Sequence, residues 1–339
     1  MNTEHLRGKR VLLTGGTGFV GSRVVPLLVS AGAQVSILCR DSSRTDGLPD
    51  GVTVIRSDLL SGRGVEEALG QCDIFIHMAA LLFGLGWQDY LSANCGAAQT
   101  LARALTSLGD RGPSRVVLIS SLAGAGPCGS APGRDEDRPQ EPVSAYGWSK
   151  MVTENVLKAA LGDRLVILRP PIIYGSGDLG MLPVYRGLAR GVSAVPGLGR
   201  DFTVSVIHVD DVAQAVALAC LEKASGVYHL DDGHPLPMAD FYRAAAKALG
   251  RRAAVFHLPL WFMGLTAWLC TAAASAAAPF RRPGSRAPNW NMDKYREARQ
   301  EGWVGTNRRI SAELGFAPSR SLEDGMKETI EGNRRLKLL

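Results

Sequence analysis

The stretch Val11–Ser22, VLLTGGTGFVGS, decides the fold. It opens on an apolar run without alternation, the pattern of a parallel strand covered on both faces. Gly15, Gly18 and Gly21 follow, and then a helix-length segment. Gly15 allows a tight turn, Gly18 lets the backbone approach a pyrophosphate, and Gly21 permits close contact between helix and strand. The helix N-terminus then offers free N–H groups and its positive dipole end to the phosphates. Thr17, Phe19 and Val20 lie between these glycines and are expected on the same dinucleotide-binding surface. The spacing is Gly-x-x-Gly-x-x-Gly, not the shorter Gly-x-Gly-x-x-Gly.

Working outward, 34–39, 52–56, 73–79, 115–120 and 164–170 are further Val-, Ile- and Leu-rich runs that read as buried strands. Segments 19–31, 92–108 and 146–161 between them have helical length. Repeated strand–helix units predict an α/β fold, a doubly wound parallel Rossmann sheet. Residues 122–145, rich in Gly, Pro and charge, read as a long loop on the active side, and 204–222 as a strand followed by a helix. The expected division is a dinucleotide-binding domain over 1–235, with a substrate-side insertion near 176–203. A smaller, mainly helical substrate lobe would occupy 236–339.

The composition is globular: 339 residues, 46% hydrophobic, 21% charged, with a formal net charge of +6. The positive excess is spread out and not interleaved with aromatics, which argues against a nucleic-acid partner. Six scattered cysteines without a Cys-x-x-Cys pair read as reduced thiols. The polar start MNTEHLRGKR has no signal-like apolar core, so a cytoplasmic location is expected. Residues 258–280 carry no charge and are bracketed by Arg251–Arg252 and Arg281–Arg282. That stretch reads as a helical lid, as a helix lying on a membrane surface, or as a span.

The end of the second strand should read the adenosine ribose, where an acidic residue favours NAD. Here Cys39 is followed by Arg40, with Ser42, Ser43 and Arg44 nearby. An arginine suits a 2′-phosphate, which it can clamp with two parallel hydrogen bonds, so NADP(H) is expected, with NAD as the alternative.

With these residues in place, the sequence resembles the extended short-chain dehydrogenase/reductases of the epimerase/dehydratase type, from residue 9 to about 230. The motifs run in order: TGGTGFVG, SDL (57–59), HMAA (77–80), Asn94, ISS (119–121), YGWSK (146–150), RPPIIYG (169–175) and IHVDDVA (207–213). The resemblance implies that Asp58 and Leu59 lie at the adenine and that Ala79 and Ala80 line the path to the nicotinamide. It also implies that Asn94 steadies the active-site helix and that Pro170, Ile172 and Ile173 cup the nicotinamide. Ser120 lies beside the cofactor in this picture.

Tyr146 and Lys150 are one helical turn apart and share a face. A free tyrosine is too weak an acid to serve as a base at neutral pH, and a neighbouring ammonium favours the phenolate. Lys150 would also hold the nicotinamide ribose. Ser121 is taken as the hydroxyl that binds the substrate oxygen, because Gly126 follows it at the Ser-x-x-x-x-Gly spacing of relatives. Ser120 is its competitor. Glu154 reads as an ordinary helix ion pair with Lys150. His77 reads as packing, and His208 with Asp210–Asp211 as an N-cap. No His/Cys cluster has metal spacing.

Nucleotide-sugar enzymes of this superfamily often have an arginine four residues before the histidine of the IHV motif. Val204 stands there, with Arg200 displaced. RRPGS (281–285) is only a partial match to a second phosphate-binding motif. The apolar stretch 236–280 suits a hydrophobic substrate. The sequence thus resembles the branch of 3β-hydroxysteroid dehydrogenases and dihydroflavonol-reductase-like enzymes. A nucleotide-sugar epimerase with tightly held NAD is the alternative. Leu122 and Ala123 occupy the places where a dehydratase needs an acid pair. A homodimer through 92–108 and 146–161 is the arrangement relatives suggest.

Overall fold

The computed structural model describes residues 3–278 and 287–339. Pro279, Phe280, Arg281, Arg282 and the RRPGS motif lie outside the described residues. The central sheet contains β1 (Arg10–Thr14), β2 (Gln34–Cys39), β3 (Thr53–Arg56), β4 (Ile74–His77), β5 (Arg115–Ile119), β6 (Leu165–Arg169) and β11 (Gly226–His229). Its order is β11-β6-β5-β4-β1-β2-β3, and every pairing in it is parallel.

Successive residues of each central strand go to opposite faces, as the pleat requires. Val11 and Leu13 join one core with Val24, Val25 and Leu28 of α1 (Gly21–Ser30) and with Val212 and Val216 of α8 (Val209–Ala219). Leu12 joins the other. That second core contains Val65 and Leu69 of α2 (Val65–Gly70), Leu101 and Leu105 of α4 (Gly96–Leu108), and Leu157 of α6 (Ala145–Leu161). Burying both faces explains the continuous apolar runs. β3 departs from that expectation: it is the sheet edge and none of its residues is fully buried.

The strand order reverses between β1 and β4, which opens a crevice at their C-terminal ends. At that point the buried Thr14 hydroxyl and His77 Nδ1 lie 2.6 Å apart.

The packing of the remainder does not follow a cut at residue 235. A third core joins Tyr185 and Leu188 of α7 (Leu182–Ala189) to Phe241, Ala245 and Leu249 of α9 (Met238–Leu249). Met326 and Ile330 of α13 (Leu322–Arg335) complete it. The 176–203 stretch is therefore part of the lobe's own core. Ile310 and Leu314 of α12 (Arg308–Leu314) return instead to the core beneath α1 and α8.

Short ladders stitch the two regions together. β7 (Ile172–Tyr174) pairs with β10 (Val206–His208), and β8 (Val192–Pro196) with β13 (Ala254–Leu258). β9 (Thr203–Val204) lies between β12 (Leu236–Pro237) and β14 (Gly302–Trp303). The 122–145 stretch begins with the short helix α5 (Leu122–Ala125), and its later part bridges to Trp303 and Gly305. The other α-helices among the described residues are α3 (Trp87–Tyr90), α10 (Leu260–Ala277) and α11 (Met292–Ala298).

Candidate active site

The glycine turn closes the bottom of the crevice. Gly15 has φ +76°, and a Cβ there would come within 2.7 Å of the Ala79 nitrogen. At Gly21 a Cβ would sit 2.3 Å from the Gly15 carbonyl, so the close contact made by this glycine is with the turn itself. Thr17 and Gly18 stay exposed, while Phe19 and Val20 are half-buried. This exposed turn at a helix start fits a dinucleotide pyrophosphate.

Arg40 is exposed just past β2, beside exposed Ser42 and Arg44. Sequence reasoning missed what shapes this loop. The Arg56 guanidinium, at the end of β3, donates to the carbonyls of Arg40 at 2.9 Å, Asp41 at 3.3 Å and Ser43 at 3.0 Å. Asp58 is exposed and Leu59 half-buried past β3; the Asp58 carboxylate accepts from Leu60 N–H at 3.0 Å. Ala79 and Ala80 are half-buried past β4, and Ala79 N–H donates to Thr14 Oγ1.

Asn94 lies in a π-helical turn, Leu91–Cys95, a distortion common at functional sites. Its amide clamps the backbone of Leu81 in both directions, at 2.7 and 3.2 Å, and donates to Ser149 Oγ at 2.9 Å. Ser149 in turn donates to the Tyr146 carbonyl. Asn94 therefore holds the start of α6.

Ser120 and Ser121 end β5 with different fates. Ser120 is buried and its hydroxyl is bound to the Glu154 carboxylate. Ser121 caps α5, accepting from Ala123 N–H at 3.2 Å, and its hydroxyl acts on the Tyr146 phenol by drawing that pKa down. Ser120 is thus held away on Glu154, and Ser121 is the hydroxyl of the two that acts on the phenol.

Glu154 is not the plain helix ion pair expected with Lys150. It is buried and holds the buried Arg169 guanidinium at 2.6 Å, with Gln140 at 2.9 Å. Its charge still acts on Lys150, drawing that pKa up against burial, which wins and brings it down to about 8. The Lys150 ammonium donates to the Ile119 carbonyl at 2.9 Å. That bond turns the ammonium onto the backbone at the end of β5, and no hydrogen bond joins it to the Tyr146 phenol. Burial pushes that phenol above its ordinary value, Ser121 pulls it down and Glu297 pushes it up.

The C-terminal lobe supplies neighbours that the sequence did not reveal. Asn291 Oδ1 caps α11, accepting from Asp293 and Lys294 N–H, each at 3.0 Å. Asp293, buried, then accepts from the N–H groups of Ala145 and Tyr146 at 2.6 and 3.2 Å. Lys294 Nζ lies 4.7 Å from the Tyr146 ring centroid and 2.9 Å from Glu297. Glu297 also accepts from Ser144 Oγ at 2.6 Å. Tyr90 packs on the Tyr146 ring, with centroids 5.9 Å apart. Asn291 capping Met292–Ala298 was a readable signal. Its target, about 150 residues earlier in the chain, was not.

Pro170 is buried, and Ile172 and Ile173 are half-buried on either side of β7. Burial brings His77 down to about 3, so it stays neutral. His208 accepts from Asp210 N–H and caps α8 as expected. His208, Asp210 and Glu328 do converge, but Arg23 and Arg320 lie on those carboxylates and supply the counter-charge.

Residues 11–230 match the model of the NAD dependent epimerase/dehydratase family. Among curated proteins, ceramide reductase of Caulobacter vibrioides is 29% identical, covering 74% of this chain and 73% of that protein. The decarboxylating sterol-4-alpha-carboxylate 3-dehydrogenase of Dictyostelium discoideum is 28% identical, over 74% and 80%. Among solved structures, the Thermus thermophilus UDP-glucose 4-epimerase complex with NAD superposes with a TM-score of 0.73 at 25% identity, covering 96% of this chain and 99% of that one.

Proposed function

Because this chain belongs to the NAD dependent epimerase/dehydratase family, and is an NAD(P)-dependent enzyme of the short-chain dehydrogenase/reductase type, we propose that it interconverts a secondary alcohol and a ketone on a hydrophobic, sterol- or lipid-like molecule. A bound nicotinamide would supply the hydride chemistry, accepting hydride from the carbinol carbon or donating it to the ketone carbon. The turn from Gly15 to Gly21 would hold the pyrophosphate, and Lys150 the adjoining ribose. Arg40, on the loop tied by Arg56, would contact a 2′-phosphate, which supports a preference for NADP.

Tyr146 moves the proton. Burial keeps its phenol protonated at neutral pH, the form that donates to a ketone oxygen as that carbon is reduced. In the reverse direction it accepts the hydroxyl proton. Ser121 would hold the substrate oxygen against the phenol. The observation that carries this reading is the close packing of the turn capped by Ser121 on the start of α6, where a Cβ at Gly147 would sit 2.4 Å from the Ala123 carbonyl, with Ser120 withdrawn onto Glu154.

The hydrophobic substrate rests on a different set of residues. Val204 is fully buried in the lobe core, and Arg200 is committed to the carbonyls of Arg299 and Gln300 at 3.1 and 2.7 Å. Neither is placed for a diphosphate. Leu122 and Ala123 are buried and apolar where an acid pair would be needed for dehydration. The names of the ceramide and sterol relatives support the same class. The superposition on a UDP-glucose 4-epimerase favours a second reading, epimerisation with retained NAD.

A thermal-shift panel of NAD, NADP, a sterol ketone and a UDP-sugar, followed by dinucleotide oxidation assays, separates the two. The proposal expects stabilisation by NADP and turnover with the apolar ketone. Stabilisation by the UDP-sugar, with no response to apolar ketones, would overturn it.

A further inference from the structure

Helix α10 is long and apolar enough by length and composition to cross a membrane, yet only 17% of its apolar window is buried. Met263, Ala267 and Ala274 face inward. The same side is fastened to the segment before α11: Thr266 Oγ1 accepts from Trp290 Nε1 at 3.1 Å, and Thr271 Oγ1 from Met292 N–H at 2.9 Å. The opposite side carries Trp261, Phe262, Leu265, Trp268 and Leu269, whose spacing makes one stripe. Trp261 is 71% exposed and Trp268 58%. The ribbon leading into α10 continues the theme with Val192 and Phe256, and Leu198 stands exposed past its end.

The charge along this stretch of the sequence is one-sided. From Phe241 to Met292 there is no Asp or Glu but seven Lys and Arg, while the whole chain has 38 against 32. The rest of the chain is thus nearly neutral. Arg243 and Lys247 are paired with Asp240 and Glu323. Arg251 and Arg252 are exposed at the start of the ribbon, where Ala254 N–H bonds the Gly191 carbonyl, beside exposed Arg190.

We propose that this face docks on the surface of an anionic lipid bilayer, with α10 lying in the headgroup plane and Trp261 and Trp268 inserted. Tryptophan at an apolar–polar boundary, a wide apolar stripe and flanking cations are the features such docking uses. A second copy of the chain fits less well, since a self-contact would bring like charges together. Crossing the bilayer would strip the hydrogen bonds that Thr266 and Thr271 accept along the inward side. The docking claim rests on this surface alone. Its value to turnover rests on the hydrophobic-substrate reading: α11, which carries Asp293 and Lys294 to Tyr146, packs on α10 through Tyr295 against Gly264, so a lipid-borne substrate would reach the site beside the bilayer.

The test is co-sedimentation of the full chain with phosphatidylcholine vesicles and with phosphatidylcholine–phosphatidylglycerol vesicles, without substrate or dinucleotide. The expected result is pelleting with the anionic vesicles and release by alkaline carbonate. Trp261→Glu with Trp268→Glu should weaken binding about tenfold or more. Arg251→Glu with Arg252→Glu should weaken binding to the anionic vesicles alone and flatten its salt dependence. These side chains are exposed, and an unchanged melting temperature with unchanged dinucleotide stabilisation will show that the variants fold. The proposal is overturned if the wild type stays in the supernatant, if the tryptophan variant pellets undiminished, or if carbonate fails to release the protein. It is also overturned if light scattering without lipid finds a dimer that the tryptophan variant dissociates. Failure here leaves the catalytic reading standing, and inactivity on apolar ketones leaves the vesicle result standing.

Discussion

Tyr146 sits under a cation that does not come from its own helix. Lys294, 4.7 Å from the ring centroid, favours the phenolate, although Glu297 partly offsets its charge. Removing the cation must therefore raise the phenol pKa. Unit charges about 5 Å apart attract by roughly 1–3 kcal/mol between the bulk-water and protein-surface limits, and Glu297 takes back part of it, so Lys294→Met should move the Tyr146 limb of the alcohol-oxidation pH profile up by about one unit. Lys294→Arg should restore it; an unmoved profile would deny Lys294 any role. Lys150 gives a second prediction. Its folded pKa of about 8 lies below the ordinary 10.5. Below pH 8 both folded and unfolded chains hold the proton, and the cost of burying the charge is fully present. Between 8 and 10.5 the unfolded chain binds more protons, so stability rises with pH. Urea unfolding from pH 7 to 10 should show the wild type gaining about 2–3 kcal/mol relative to Lys150→Met. A constant difference would contradict the burial assigned to this lysine.

At the scale of elements, α6 is held at its start by a carboxylate from another part of the chain and at its middle by a buried ion pair. Asp293→Ala removes the partner of two N–H groups and should cost about 1–2 kcal/mol in denaturant unfolding. Because the same change frees Tyr146, kcat should fall while dinucleotide affinity holds. Glu154→Ala leaves Arg169 buried without its partner and should cost about 3–5 kcal/mol. A loss below 1 kcal/mol would mean that water reaches the arginine. These elements also show what a sequence can disclose. α6 and its Tyr146–Lys150 face were legible because the turn spacing and the motif are local. Asn94 was singled out only through family resemblance, and its bonds to Leu81 and Ser149 agree with the steadying part of the role implied for it. Glu154 was misassigned because i,i+4 spacing suggests Lys150, whereas the guanidinium that claims it arrives from β6. Asp293 and Lys294 left no local trace at all.

Across the whole molecule, the unbroken apolar runs carried the parallel sheet, because two cores require both faces of each strand to be apolar. β3 escaped that logic as an edge strand. The boundary between lobes escaped it too: α7 joins the C-terminal core, and α12 returns to the core beneath α1 and α8, and periodicity does not say which surface a helix will cover. The account's central claim concerns where these parts meet, with the Ser121–Tyr146 pair moving a proton beside a dinucleotide held on the glycine turn. Single-turnover measurement of hydride transfer in Tyr146→Phe, with dinucleotide binding followed in the same samples, tests it most directly. The account predicts dinucleotide affinity within about twofold of wild type and a transfer rate lower by about 10²–10⁴-fold. Transfer at the wild-type rate would contradict it.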